Sequence, residues 1–128
     1  MLLKESWVYI SDNTNICWVK TFHLYKGFNR KVTKPGLFIK SSARIVEPPR
    51  LEYKGFKYKY SVKGDITRAW VVRSVFALKS IDKSTISFSH NTSIVINKKS
   101  NLKSKFINGP LSSVVRIKKL NTLFTPIL

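Results

Sequence analysis

Acidic side chains are scarce in this sequence: six Asp and Glu stand against 24 Lys and Arg. Without paired carboxylates, general acid–base chemistry of the glycosidase or two-metal kind has nothing to work with. The only cysteine, Cys17, excludes an internal disulfide and any multi-cysteine zinc site, and it reads as a small strand hydrophobe. Glycine numbers five, and none of it forms a phosphate-cradling Gly-rich loop. No apolar run approaches the roughly 18 residues of a spanning helix, so no membrane insertion is expected. The lysines are scattered through β-type sequence instead of lining one helical face, which also argues against a surface-bound amphipathic helix. The first residues, MLLKESWVYI, enter a strand-like run at Trp7 without a signal peptide's apolar core or an Arg-rich presequence. The chain is therefore expected either to work where it is made or to have lost a leader.

What is present is positive charge, +18 in 128 residues, with 43% hydrophobic content. That apolar share is too high for a disordered basic tail, and the length suits one domain spanning residues 1–128 that buries a core without staples. Self-repulsion on this scale destabilises a compact monomer, so a polyanion that neutralises it would both bind and stabilise the fold. Nucleic acid is the first candidate partner. Lys, Asn, Ile, Phe and Tyr supply 51 residues while Gly, Ala, Pro and Arg supply 19, a bias that suits A+T-rich codons such as those of compact organelle genomes.

Apolar and β-branched runs recur along the chain: WVYI (7–10), ICWVKTFHL (16–24), GLFIKSSARIV (36–46), DITRAWVVRSVFAL (65–78), TISFS (85–89) and TSIVIN (92–97). Turn-forming clusters separate them at 11–15, 34–36, 48–49, 63–65 and 108–110. Many short strands in one small domain predict a closed or nearly closed barrel, which removes sheet edges. After Pro110 the pattern changes: LSSVVRIKKLNTLF predicts one or two short helices closing the barrel. Ser112 or Ser113 would serve as N-cap, with Leu120, Leu123 and Phe124 at helical spacing.

Five segments occur in one order: SDNT (11–14), KPGLFIK (34–40), KGDITRAWVVR (63–73), FSHNTSIVIN (88–97) and GP (109–110). In that order and spacing they resemble the universal family of the fourteenth protein of the large ribosomal subunit, over almost the whole chain. The resemblance implies an all-β fold: a small five-stranded, OB-like or SH3-like barrel with a β-ribbon and one or two short C-terminal helices (111–128). It also implies a structural, non-catalytic constituent of the large subunit that binds large-subunit rRNA near the subunit interface and contributes to an intersubunit bridge with small-subunit rRNA. Large-subunit proteins three and nineteen would be neighbours, and a ribosome-silencing factor a further partner; no cofactor is implied. With the residue bias, the expected location is the mitochondrial ribosome, in the matrix, with the chain organelle-encoded; a plastid or bacterial ribosome ranks behind it.

Departures from the family pattern are expected to matter. Residues 50–61 form an insertion. Between Arg73 and Ser84 relatives carry a basic hairpin ending in Asp-Gly, whereas SVFALKSIDKS is largely apolar and offers Asp82-Lys83, which argues against the usual type I′ turn. An apolar loop there could meet protein where relatives meet rRNA. Asn15 and His90 stand where relatives often carry glycine.

Candidate rRNA contacts follow from charge and position. Arg30 and Lys31 match a basic pair of the family, and Lys40, Lys63, Arg68 and Arg73 sit at or near matched basic positions. Arg68 and Arg73 could instead cap the barrel or pair with Asp65. Lys98, Lys99, Lys103 and Lys105 fall in an irregular polar stretch that would order on RNA, or remain a solvated loop. In the insertion, Arg50, Lys54, Lys57 and Lys59 could grip backbone while Tyr53, Phe56, Tyr58 or Tyr60 stack on an unpaired base. The alternative is a lysine-bearing edge strand or a protein-facing ribbon. His23 and His90 read as ordinary packed or surface histidines, and Trp7, Trp18 and Trp70 as core or interface anchors. Trp70 is expected to share a face with Val72, and Glu47 to mark a strand end. A rival function is a free single-stranded-RNA-binding barrel acting as a translation or RNA-stability factor, favoured if aromatics cover one barrel face.

Overall fold

A computed structural model describes residues 2–25, 31–48, 60–79, 81–97, 102–104, 107–112 and 115. Period-two alternation of apolar and polar residues places its strands: β1 (Leu2–Leu3), β2 (Trp7–Ile10), β3 (Ile16–Leu24), β4 (Val32–Thr33), β5 (Phe38–Val46), β6 (Ile66–Arg73), β7 (Leu78–Lys79), β8 (Thr85–Ile86) and β9 (Thr92–Ile96). In β5, Ile39, Ser41 and Ala43 point inward and are fully buried, while Lys40 and Arg44 point to solvent. The same rule in β6 buries Thr67, Ala69 and Val71.

Strands β2, β3, β5, β6 and β9 close into a barrel in that order. Neighbours are antiparallel except at the closure, where β2 runs parallel to β9 with Tyr9 opposite Thr92. Two small sheets sit beside it: β1 pairs with β4, and β7 with β8. The predicted small all-β barrel with a ribbon is found, and no helix occurs among the described residues. The predicted C-terminal helices and the insertion fall almost wholly outside those residues; Leu111, Ser112 and Val115, and Tyr60 and Ser61, are the described exceptions.

Two apolar clusters result. The barrel interior holds Leu2, Val8, Ile10, Ile16, Val19, Leu24, Ile39, Ala43, Ala69, Val71 and Val95. On the outside of β6 and β9, Val72 and Ile94 pack with Leu111 and Val115, and Trp70, Leu102 and Ile107 lean against them. A register shift between Val71 and Arg73 lets consecutive valines serve both clusters. Strand β9 is likewise covered on both faces, since all five of its residues, polar Thr92 and Ser93 included, are buried. Trp70 and Val72 thus do share a cluster.

Polar latches hold the ends. Asp12, in the turn between β2 and β3, reaches across to β9: its Oδ2 accepts the Val95 N–H at 2.8 Å, and Oδ1 accepts the N–H and hydroxyl of Thr14. Asn15 binds Ser61 in both directions, donating to its carbonyl at 2.8 Å and accepting its N–H at 3.2 Å, while the Asn15 carbonyl accepts the Glu47 N–H at 2.7 Å. Positions 47 and 61, far apart in sequence, are therefore both tied to Asn15. Glu47 follows the last residue of β5, the strand end expected for it.

Candidate nucleic-acid interface

Outward positions of adjacent strands line up by register. Lys40 on β5 faces His23 on β3 and Arg68 on β6, so three side chains far apart in sequence form one row across the barrel. Just beyond β3, Tyr25 joins them: its ring meets His23 edge-on with centroids 5.4 Å apart, and the Arg68 guanidinium carbon lies 5.4 Å from its centroid. That distance is within cation–π range. One pleat further along the same strands, Phe38 and Trp70 stack at 4.7 Å and 18°, the indole N–H donating to the Gly36 carbonyl. Cations interleaved with aromatic faces are the chemistry that backbone phosphates and unpaired bases require.

The other predicted contacts divide. Lys31 is exposed beside β4, and Lys63 is exposed in the tight Val62–Asp65 turn, where Gly64 takes φ +93°. Asp65 accepts the Val62 N–H in that turn. Lys103 is half-buried, its Nζ donating to the Ser61 hydroxyl at 2.5 Å and its N–H to the Val95 carbonyl. Arg73 caps the barrel end: Nη2 donates to the Asn108 carbonyl at 2.9 Å, its Nε is buried without a partner, and burial pulls its pKa below the usual arginine value. Lys40 and Arg68 are brought together; Arg73, Lys63 and Lys103 lie elsewhere. Arg30, Arg50, Lys54, Lys57, Lys59, Lys98, Lys99 and Lys105 lie outside the described residues.

Sequence reasoning missed Tyr25 and treated His23 as ordinary. Strand register is what unites them with Lys40 and Arg68, and a bulge between Thr21 and His23 adjusts it in a way periodicity cannot reveal. No tryptophan lies in the barrel interior: Trp7 is half exposed, Trp18 is partly so, and Trp70 packs against the outer cluster. Trp18 instead meets Tyr9 edge-on at 5.5 Å on the barrel's outer surface. Acidic groups do local work. Glu5 binds Lys20 Nζ at 2.6 Å, which with the charge of that lysine holds its carboxyl below the usual glutamate range. Among the described residues no group of three or more His, Cys, Asp or Glu could hold a metal ion, and no helix is long and apolar enough to cross a membrane.

Comparison with known families decides the assignment: the family described as Ribosomal protein L14p/L23e matches residues 1–125. The chain belongs to that family. As a member it is a structural constituent of the large ribosomal subunit and not an enzyme. It is also similar to "Large ribosomal subunit protein uL14m" of Nyctotherus ovalis, with 26% identity over 102 residues that cover 77% of this chain and 76% of the relative. The SDNT segment that marks the L14p/L23e resemblance now has a physical reason, because Asp12 is the latch between the β2–β3 turn and β9. The GP segment has another: Gly109 at φ +88° packs against Arg73.

Proposed function

We propose that this L14p/L23e protein grips large-subunit rRNA through the outer face of β3, β5 and β6. The observation that carries the reading is the row His23–Lys40–Arg68 with Tyr25 under the guanidinium. Lys40 and Arg68 engage phosphates, and Tyr25 offers a stacking face. Exposed Lys31 and Lys63 extend the contact on the loops, and the lysines and arginines of 30, 50–59 and 98–105 add to it. Through these contacts the protein takes a place at the subunit interface beside large-subunit proteins three and nineteen, contributing to a bridge to small-subunit rRNA and offering a surface to a silencing factor, as the family resemblance implies. The setting is the mitochondrial ribosome, with the gene in the organelle; the similarity to uL14m of Nyctotherus ovalis and the A+T-type residue bias support this.

The test is binding of the purified chain to large-subunit rRNA across a salt series. Lys40→Ala and Arg68→Ala should each lower the slope of log K against log salt by roughly 0.7–0.9, the value for one phosphate that the protein no longer neutralises. Unchanged slopes in both variants would remove this face from the interface. A second reading, a free single-stranded-RNA-binding factor, draws on the outward aromatics Tyr9, Trp18 and Tyr25. Gradient sedimentation of organelle lysate separates the two: stoichiometric recovery with the large subunit after a high-salt wash supports the ribosomal reading, and recovery near the top of the gradient supports the other.

A further inference from the structure

The β7–β8 ribbon presents apolar surface to solvent without being needed by either core cluster. Val75 and Phe76 are about half exposed (49% and 52%), and Ile81 at the tip is completely exposed. The ribbon is nevertheless firmly rooted. The Asn91 side chain accepts the Val75 N–H at 3.0 Å, the Ser74 hydroxyl accepts the Phe76 N–H at 3.2 Å, and the Ser74 carbonyl accepts the Phe88 N–H at 3.1 Å. At the other end Asp82 accepts the N–H and hydroxyl of Ser84. Between the ribbon and the Lys34-Pro35 turn lies an open groove of about 420 Å³, floored by Pro35, Phe76, Ala77 and Leu78 and flanked by exposed Lys34 and Lys79.

We infer that this groove docks a protein segment in which an apolar side chain is flanked by Asp or Glu. The apolar floor takes the side chain, and the two lysines take the carboxylates. Charge complementarity selects the acidic partner, because a chain carrying +18 repels basic neighbours. RNA fits the lysines and the Phe76 ring but not the aliphatic floor: Pro35, Ala77 and Leu78 have no face on which a base can stack, and covering them with a sugar–phosphate backbone removes little apolar area. A held apolar anchor inside a charged rim is the anatomy of a protein interface core. The inference rests on the reading of the chain as part of the large subunit, where a protein neighbour is permanently at hand.

Native large subunits supply the test. Carbodiimide treatment, which couples lysine amines directly to carboxylates, followed by peptide mass spectrometry should join Lys34 or Lys79 to an Asp or Glu of another protein, within a few residues of an apolar side chain. Hydroxyl-radical footprinting should show Phe76 and Leu78 oxidised several-fold less in the subunit than in the free chain, with the protection surviving ribonuclease digestion. Disappearance of the protection on ribonuclease treatment would assign the ribbon to rRNA and overturn the inference while leaving subunit membership intact. Full oxidation of both residues in the intact subunit would overturn it as well. Absence of the chain from the subunit would overturn both the inference and the functional reading beneath it.

Discussion

Gly109 and Gly64 both adopt positive φ, +88° and +93°, but in different surroundings. A Cβ on Gly64 would meet nothing within 4 Å, whereas on Gly109 it would lie 2.5 Å from Arg73 Nη1. Gly64→Ala should therefore cost about 1 kcal/mol, the left-handed backbone penalty alone. Gly109→Ala should cost measurably more, because it also pushes a half-buried guanidinium off the Asn108 carbonyl. Denaturant unfolding of Gly109→Ala, Arg73→Ala and the double variant checks this: the excess over Gly64→Ala should vanish when Arg73 is absent, and strictly additive costs would refute the contact. Asp12 offers a second residue-scale test. Burial raises its pKa against the lowering effect of bonds from Thr14 and Val95. A carboxyl raised on folding binds its proton more tightly in the native state, so its contribution to stability is largest below the unfolded pKa and declines as pH rises through the folded one. Asp12→Asn should lose about 1–3 kcal/mol by leaving a buried N–H unsatisfied, and the gap between wild type and variant should narrow as pH rises through that window. A gap that widens with pH would mean the hydrogen bonds outweigh desolvation.

At the scale of elements, the tip of the β7–β8 ribbon places Lys83 at φ +68°, a conformation in which glycine is at ease and lysine is not. Asp82 has no positive φ, so the pair does not form a type I′ turn, consistent with the absence of Asp-Gly there. Lys83→Gly should stabilise the chain by up to about 1 kcal/mol, read as a higher denaturant midpoint; a lower midpoint would show that the lysine side chain stabilises the turn by more than the backbone strain costs. Much of the fold was legible at this scale. The runs 7–10 and 16–24 coincide with β2 and β3 to the residue, because alternation in a barrel strand is imposed by one wet face and one dry face. The interface was less legible. Lys40 and Arg68 could be singled out by charge and family position, but their union with Tyr25 and His23 depends on register across three strands, which no local pattern encodes. The place of the tryptophans outside the barrel interior has a related cause: once that interior is filled by Val, Ile, Ala and Leu, rings of that size are left to the outside.

For the whole molecule, 24 cationic side chains against six anionic ones set folding and binding at odds in their response to salt. Among the acids, Asp12, Asp65 and Asp82 accept hydrogen bonds within their own turns, and Glu5 binds Lys20. Repulsion among the remaining charges acts over about 10 Å at 0.1 M ionic strength and about 3 Å at 1 M. Added salt should therefore raise the thermal midpoint of the free chain. The rRNA complex should respond in the opposite sense, weakening over the same salt range as counterions compete for the phosphates. A melting series with and without an rRNA fragment tests both together. At low salt the fragment should raise the midpoint strongly, by linkage, and the two curves should converge as salt increases. A free chain whose midpoint ignores salt would mean that its charges are already spaced beyond mutual influence. The dependence on a polyanion would then lie in the interface alone and not in the stability of the barrel.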